Sequence, residues 1–260
     1  NFCIRGLVVM KPIIAANWKM NFTPEESLRL IDDITSQRPP SDVDIIFFPS
    51  FISLPAVVDK LLDSAYSIGG QNIFHKENGA FTGEISASML KALNIQYVII
   101  GHSERRQYLH ENDKQVNDKI QLALKAELIP IICIGETLKE RENGQTDPVL
   151  KEQLNSAFEN INLDNQKNII VAYEPVWAIG TGLTAEKDKI LDAHSLIKET
   201  LETIYNFKIP ILYGGSVNAD NAASLINIEN VDGFLVGGAS LKSESFCQIV
   251  KNITKNFERS

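Results

Sequence analysis

Apolar residues along the chain gather in eight short runs: "PIIAAN" (12–17), "VDIIFF" (43–48), "YSIGGQ" (66–71), "QYVIIGH" (96–102), "LIPIICIG" (128–135), "NIIVAYE" (168–174), "IPILYGG" (209–215) and "VDGFLVGG" (231–238). Most are continuous and rich in β-branched residues, the pattern of parallel strands covered on both faces. Between them, apolar positions recur every three or four residues, which is the helical period. Thr23, Pro24 and Glu26 read as an N-cap, a first-turn proline and the far half of a capping box. Leu28, Ile31 and Ile34 would form the apolar face of that helix. A second helix is predicted from Ala185 to about Phe207, with Ile190, Ala193, Ile197, Leu201 and Ile204 along one side.

Strand–helix units follow one another with no linker or break in composition, which predicts an α/β, single-domain (β/α)8 barrel over residues 10–260. An open doubly wound sheet is the alternative, but it carries a glycine fingerprint after its first strand, and "PIIAANWKMN" contains no glycine. The residues 1–9 that precede Met10 read as an N-terminal extension outside the fold. They lack the long apolar region and small-residue cleavage site of a secretory signal. An N-terminal mass measurement on the native protein checks Met10 as the start.

Barrels place their chemistry at the C-terminal ends of the strands, so the residues after each apolar run are the candidates. Asn17 and Lys19 follow the first run, His102, Ser103 and Glu104 the fourth, and Glu174 the sixth. Gly214-Gly215-Ser216 follows the seventh and Gly237-Gly238 the eighth. A lone strand-end glutamate is ordinarily a solvated cap. Here Pro175 ends the strand behind Glu174, and the next residues, Val176, Trp177 and Ile179, are apolar for a loop. A carboxylate covered by such a lid loses water and gains basicity, as a base for a carbon-bound proton requires. His102 precedes the helix opening "SERR", whose N-terminal dipole is expected to lower the imidazole pKa and keep it neutral. His75, His110 and His194 follow no strand and read as structural. Lys19 offers a cation, with Glu104 as its ion-pair partner. The two glycine loops, each ahead of a helical pattern, suit a phosphate held by backbone amides.

Composition narrows the partners. The net charge is −8 with no basic block, which argues against nucleic acid and anionic membranes. No apolar stretch nears the ~20 residues of a membrane helix. Cys3, Cys133 and Cys247 are far apart, which argues against zinc and disulfides and for a reducing, cytoplasmic setting. Cys133 reads as a small buried hydrophobe.

The motifs "NWKMN" (17–21), "GAFTGEIS" (79–86), "GHSERR" (101–106), "YEPVWAIGTG" (173–182), "YGGSV" (213–217) and "VGGASL" (236–241) resemble, in order and spacing, those of the triosephosphate isomerase family. The resemblance covers about residues 11–255. It implies a TIM barrel acting as a homodimer, without cofactor or metal, on a small phosphorylated triose. It implies Glu174 as the base, His102 as the neutral electrophile, and Lys19 and Asn17 as stabilisers of negative charge, with Glu104 holding Lys19. Asn17, Lys19, Gly180, Ser216, Gly237 and Gly238 would bind the substrate. The lid would comprise Pro175, Val176, Trp177, Ala178, Ile179, Gly180, Thr181 and Gly182, with Tyr213 bonding to it when closed. The aperiodic loop from Asn72 to Glu84 would insert into the partner, where Thr82 helps to position Asn17 and Lys19. Phe22 departs from the family, which very often has glycine there. Two other readings share parts of the pattern. A different phosphosugar barrel enzyme would keep the last two glycine loops but not "GHSERR" or the lid. A catalytically silent phosphate-binding barrel would have lost the base, the imidazole or the cation, and all three are present.

Overall fold

All eight apolar runs become parallel strands in a computed structural model of the chain, which describes residues 11–163, 168–179 and 185–257. They are β1 (Ile13–Asn17), β2 (Asp44–Phe48), β3 (Ser67–Gly70), β4 (Tyr97–Ile100), β5 (Ile129–Ile134), β6 (Ile170–Tyr173), β7 (Ile211–Tyr213) and β8 (Gly233–Val236). Each pairs with its sequence neighbour, and β8 closes on β1, so the sheet is a barrel. Each strand is shorter than its apolar run. Glu174 and His102 therefore lie just beyond the last paired residue, at the mouth. The expectation for residues 1–9 falls outside the described residues.

The period of two along each strand sorts the side chains into two layers. Ala15, Ile46, Phe48, Ile99, Ile131, Cys133, Ile170, Ala172, Leu212 and Leu235 point inward and fill the barrel. Ile14, Ala16, Phe47, Val98, Ile100, Val171, Tyr173, Tyr213, Phe234 and Val236 point outward into the larger layer beneath the helices. Asn17 continues the inward parity of Ala15, and Glu174 that of Ala172. Two-sided burial thus explains the continuous apolar runs, and the same parity aims the polar residues into the mouth.

The helices among the described residues are α1 (Pro24–Ser36), α2 (Leu54–Leu61), α3 (Ala87–Ala92), α4 (Ser103–Leu109), α5 (Asp113–Lys125), α6 (Leu138–Glu142), α7 (Thr146–Phe158), α8 (Lys187–Ile204), α9 (Ala219–Leu225) and α10 (Ser243–Phe257). The capping box of α1 forms as read: the Glu26 amide donates to the Thr23 hydroxyl, and Glu26 accepts from the Thr23 amide at 2.8 Å. Its buried face is Ser27, Leu30, Ile31 and Ile34, whereas Leu28 is only half-buried. Ile31 and Ile34 are buried as read, and Ser27 joins them by hydrogen-bonding Ser53 at 3.0 Å inside the interface. The second predicted helix is shorter than expected, because Tyr205 turns extended and its hydroxyl bonds the Ile161 carbonyl at 2.9 Å. No helix among the described residues is long and apolar enough to cross a membrane.

Candidate active site

Asn17, Lys19, His102, Glu174, Ser216, Gly237 and Gly238 line one cavity of about 220 Å³ at the C-terminal mouth of the barrel. A larger open groove of about 1020 Å³ runs between α1 and α10. Its walls carry Glu26, Arg29, Asp33, Lys242 and Glu244 but none of the strand-end groups, so the chemistry belongs to the smaller cavity.

Lys19 sits in the left-handed region at φ 54°, a strained conformation for a residue with a side chain. Several bonds hold it there. Its amide donates to Asn17 Oδ1 at 3.0 Å, and the Gln71 side chain donates to the Lys19 carbonyl at 2.8 Å and the Phe48 carbonyl at 2.9 Å. Its ammonium pairs with Glu104, as expected, and its stem lies against Gly237 of the last glycine loop. The cation therefore spans the site from the imidazole side to the phosphate side. Phe22 also has a positive φ, of 70°. That conformation suits glycine, and here it is held by an edge-on contact of the Phe22 ring with Trp18 at 5.7 Å.

His102 caps α4, and its Nδ1 accepts the Glu104 amide hydrogen at 3.2 Å. That bond leaves Nδ1 unprotonated and puts the proton on Nε2, which lies 2.9 Å from Glu174 Oε1. The other Glu174 oxygen accepts from the Ser103 amide at 2.9 Å. Contact with Glu174 reverses the expected direction of the His102 shift. Burial disfavours the imidazolium, but the Glu174 carboxylate, with Glu104 behind it, outweighs burial and the His102 pKa is raised. Burial likewise opposes ionisation of Glu174, yet His102, the Ser103 amide and Lys19 hold its carboxyl below the ordinary value. In this arrangement the base is restrained rather than activated.

Backbone packing fixes where Glu174 stands. Its amide donates to the Ile134 carbonyl at 2.8 Å, and a Cβ on Gly135 would come 1.7 Å from its carbonyl oxygen. Only glycine allows that approach. Beyond it, Val176–Ala178 form one tight turn. Trp177 donates to Glu136 Oε1 at 2.9 Å, Arg141 to the same oxygen at 2.6 Å, and the Tyr173 hydroxyl to Oε2 at 3.1 Å. The Arg141 guanidinium also lies 5.1 Å from the centre of the Trp177 ring. The start of the loop is thereby anchored, and Ile179 reaches the cavity wall. Gly180, Thr181 and Gly182 lie outside the described residues.

The loops Gly214–Val217, which starts against Glu174, and Gly237–Ala239, which lies against Lys19, form the remaining wall. Tyr213 lies under the first of them. A Cβ on Gly215 would come 2.2 Å from the Tyr213 hydroxyl, and burial pushes that phenol up to about 12. Thr82 is exposed in a turn of the long loop and does not line the cavity of its own chain.

The motifs miss three groups that hold the site. Gln71 and Glu136 follow the third and fifth runs, so the strand-end rule itself points to both. The third is a buried pair, Glu111 and Lys119. Glu111 accepts from the Gly101 amide at 3.1 Å and from Arg105 at 2.8 Å, and Lys119 donates to Asn72 at 2.8 Å. It ties both sides of His102 to the root of the long loop. Among the described residues, no group of three or more His, Cys, Asp or Glu side chains could hold a metal ion.

The sequence model of the Triosephosphate isomerase family matches residues 12–253. The chain belongs to the triosephosphate isomerase family. It is 48% identical over 244 residues to the triosephosphate isomerase of Alkaliphilus metalliredigens, covering 92% of this chain and 98% of that one. It is 44% identical over 249 residues to that of Cytophaga hutchinsonii, covering 93% and 99%. The triosephosphate isomerase of Alkaliphilus oremlandii is 46% identical over 244 residues, with 92% and 98% covered. These alignments span the whole barrel, so the strand-end groups arise in a family context and not from one local motif.

Proposed function

We propose that this site interconverts dihydroxyacetone phosphate and D-glyceraldehyde 3-phosphate, with Glu174 moving a proton between C1 and C2. The observation that carries the reading is the 2.9 Å contact of His102 Nε2 with Glu174 Oε1, in a cavity also lined by two glycine loops. The amides of Ser216, Gly237 and Gly238, with Gly180, hold the phosphate. Lys19 and Asn17 face the substrate oxygens, and Glu104 keeps the Lys19 ammonium in place.

Substrate binding then changes both titrating groups in the useful direction. A substrate oxygen takes the Nε2 hydrogen from Glu174. Glu174 loses the partner that held its pKa down, while its burial, at 2% exposure, remains and favours the basic carboxylate. His102 loses the anion that raised its pKa, and with burial and the Glu104 amide still in place it stays neutral. A neutral imidazole can donate to the carbonyl and then to the enediolate oxygen without giving up its proton prematurely. Lys19 supplies the charge that stabilises this intermediate. A glutamate base beside a neutral imidazole electrophile is the known pattern of triosephosphate isomerase, so these two roles follow the family and are not independent of it.

The reading includes a homodimer in a cytoplasmic setting. Phe81, at 41% exposure, packs on Phe74 at 4.7 Å in a long loop closed by the Phe74 amide on the Ile85 carbonyl. Met20, next to Lys19, is 97% exposed. Insertion of one loop beside the other mouth would cover both apolar surfaces and bring Thr82 to Asn17 and Lys19 of the partner subunit. Cys133 and Cys247 are free and buried, which suits a reducing compartment. A silent phosphate binder is disfavoured because base, imidazole and cation all face one cavity. A coupled assay that follows dihydroxyacetone phosphate formation from glyceraldehyde 3-phosphate tests the reading. Turnover is expected, and none in a folded preparation would overturn it.

A further inference from the structure

His194 lies wholly buried on α8 and takes no part in the chemistry described above. Its Nδ1 is 2.9 Å from the Asn230 carbonyl oxygen. A carbonyl only accepts, so Nδ1 carries the proton and Nε2 presents a bare lone pair. That lone pair finds no hydrogen-bond partner among the described residues. Burial pushes the imidazole pKa down to about 4, against the opposing Asn230 carbonyl and Asp232, so the ring is neutral at physiological pH. An unpaired buried acceptor is unfavourable, and an apolar ring of the same size would avoid it.

What the ring touches suggests why it is there. It stands edge-on to Tyr173, with centroids 5.8 Å apart and planes at 89°, and it lies tilted against Tyr213 at 6.4 Å and 44°. These are the outward-facing residues at the ends of β6 and β7, immediately before Glu174 and Gly214. Tyr173 is fixed independently by its hydroxyl on Glu136. Tyr213 has no carboxylate partner of that kind among the described residues; its hydroxyl lies directly beneath Gly215 and faces the Ala185 backbone. The tilt of the Tyr213 ring therefore sets the height of the backbone at Gly215 and Ser216.

We infer that His194 is a positioning residue for the phosphate-binding loop, acting through the Tyr213 ring. The Asn230 bond holds the imidazole at a fixed depth, and the tilted ring then packs against Tyr213. The inference rests on the reading of Gly214–Ser216 as part of the phosphate site.

Two substitutions separate ring from bond. His194→Asn keeps an amide donor for the Asn230 carbonyl and deletes the ring, while His194→Phe keeps the ring and deletes the bond. Both are measured for kcat, for KM and for inhibition by inorganic phosphate, with circular dichroism to establish folding. In His194→Asn, KM and the phosphate inhibition constant are expected to rise together by about tenfold with kcat unchanged, the mark of lost uniform binding. In His194→Phe, both constants are expected to stay within about twofold of the parent while the melting temperature falls. Unchanged constants in a folded His194→Asn overturn the inference, as does a tenfold rise in His194→Phe. If the Asn variant does not fold, His194→Leu, which also deletes the ring, takes its place with the same expected rise, and unchanged constants in it overturn the inference. Absence of inhibition by inorganic phosphate in the unaltered protein would instead remove the phosphate site on which the inference rests.

Discussion

Glu174→Asp is expected to lower kcat by about 10²–10³ with KM within a few-fold of the parent value. The substitution keeps the charge and withdraws the carboxylate by one methylene. The backbone cannot advance to compensate. A Cβ on Gly135 would already come 1.7 Å from the Glu174 carbonyl oxygen, and a Cβ on Gly214 would come 2.9 Å from Glu174 Cγ. The shortened base thus stays out of reach of the substrate carbon, while the phosphate loops that set binding are untouched. Steady-state kinetics in both directions provide the check. An unchanged kcat would remove Glu174 as the base.

Lys19→Ala is expected to abolish measurable activity, with a loss in kcat/KM of at least about 10³. Two effects add. The ammonium that faces the developing enediolate is removed, and Glu104, its partner, is left as an uncompensated negative charge beside the mouth. The backbone need not change, because Gln71 and Asn17 hold it through main-chain atoms that alanine retains. Activity retained in a folded Lys19→Ala protein would count against its electrostatic role.

The barrel is legible in the sequence because strands covered on both faces must be apolar at every position, and eight such runs leave few architectures. The mouth is legible for a related reason: the period of two that points Ala15 and Ala172 into the barrel also points Asn17 and Glu174 there. Interactions between residues distant in sequence are not legible. The dipole of its own helix predicts a lowered His102 pKa, but the charge that decides the shift belongs to Glu174 on another strand. Glu136 carries no motif, and its role is evident only when Tyr173, Arg141 and Trp177 converge on one carboxylate. The apolar pattern of α1 finds Ile31 and Ile34 but not Ser27, a polar residue that is buried because it has a partner in Ser53. Phe22 shows the converse case. The glycine usual in the family at that position becomes intelligible once the backbone is known to be left-handed, a conformation that Phe22 keeps against Trp18.

Proton transfer through Glu174 is the central claim, and isomerisation of dihydroxyacetone phosphate in deuterium oxide tests it most directly. A carboxylate that carries the proton from C1 to C2 can exchange it with solvent before delivering it. The account expects deuterium at C2 of the glyceraldehyde 3-phosphate product, read by NMR after trapping. Complete retention of the substrate's own hydrogen at C2, as in a direct hydride shift, would contradict it.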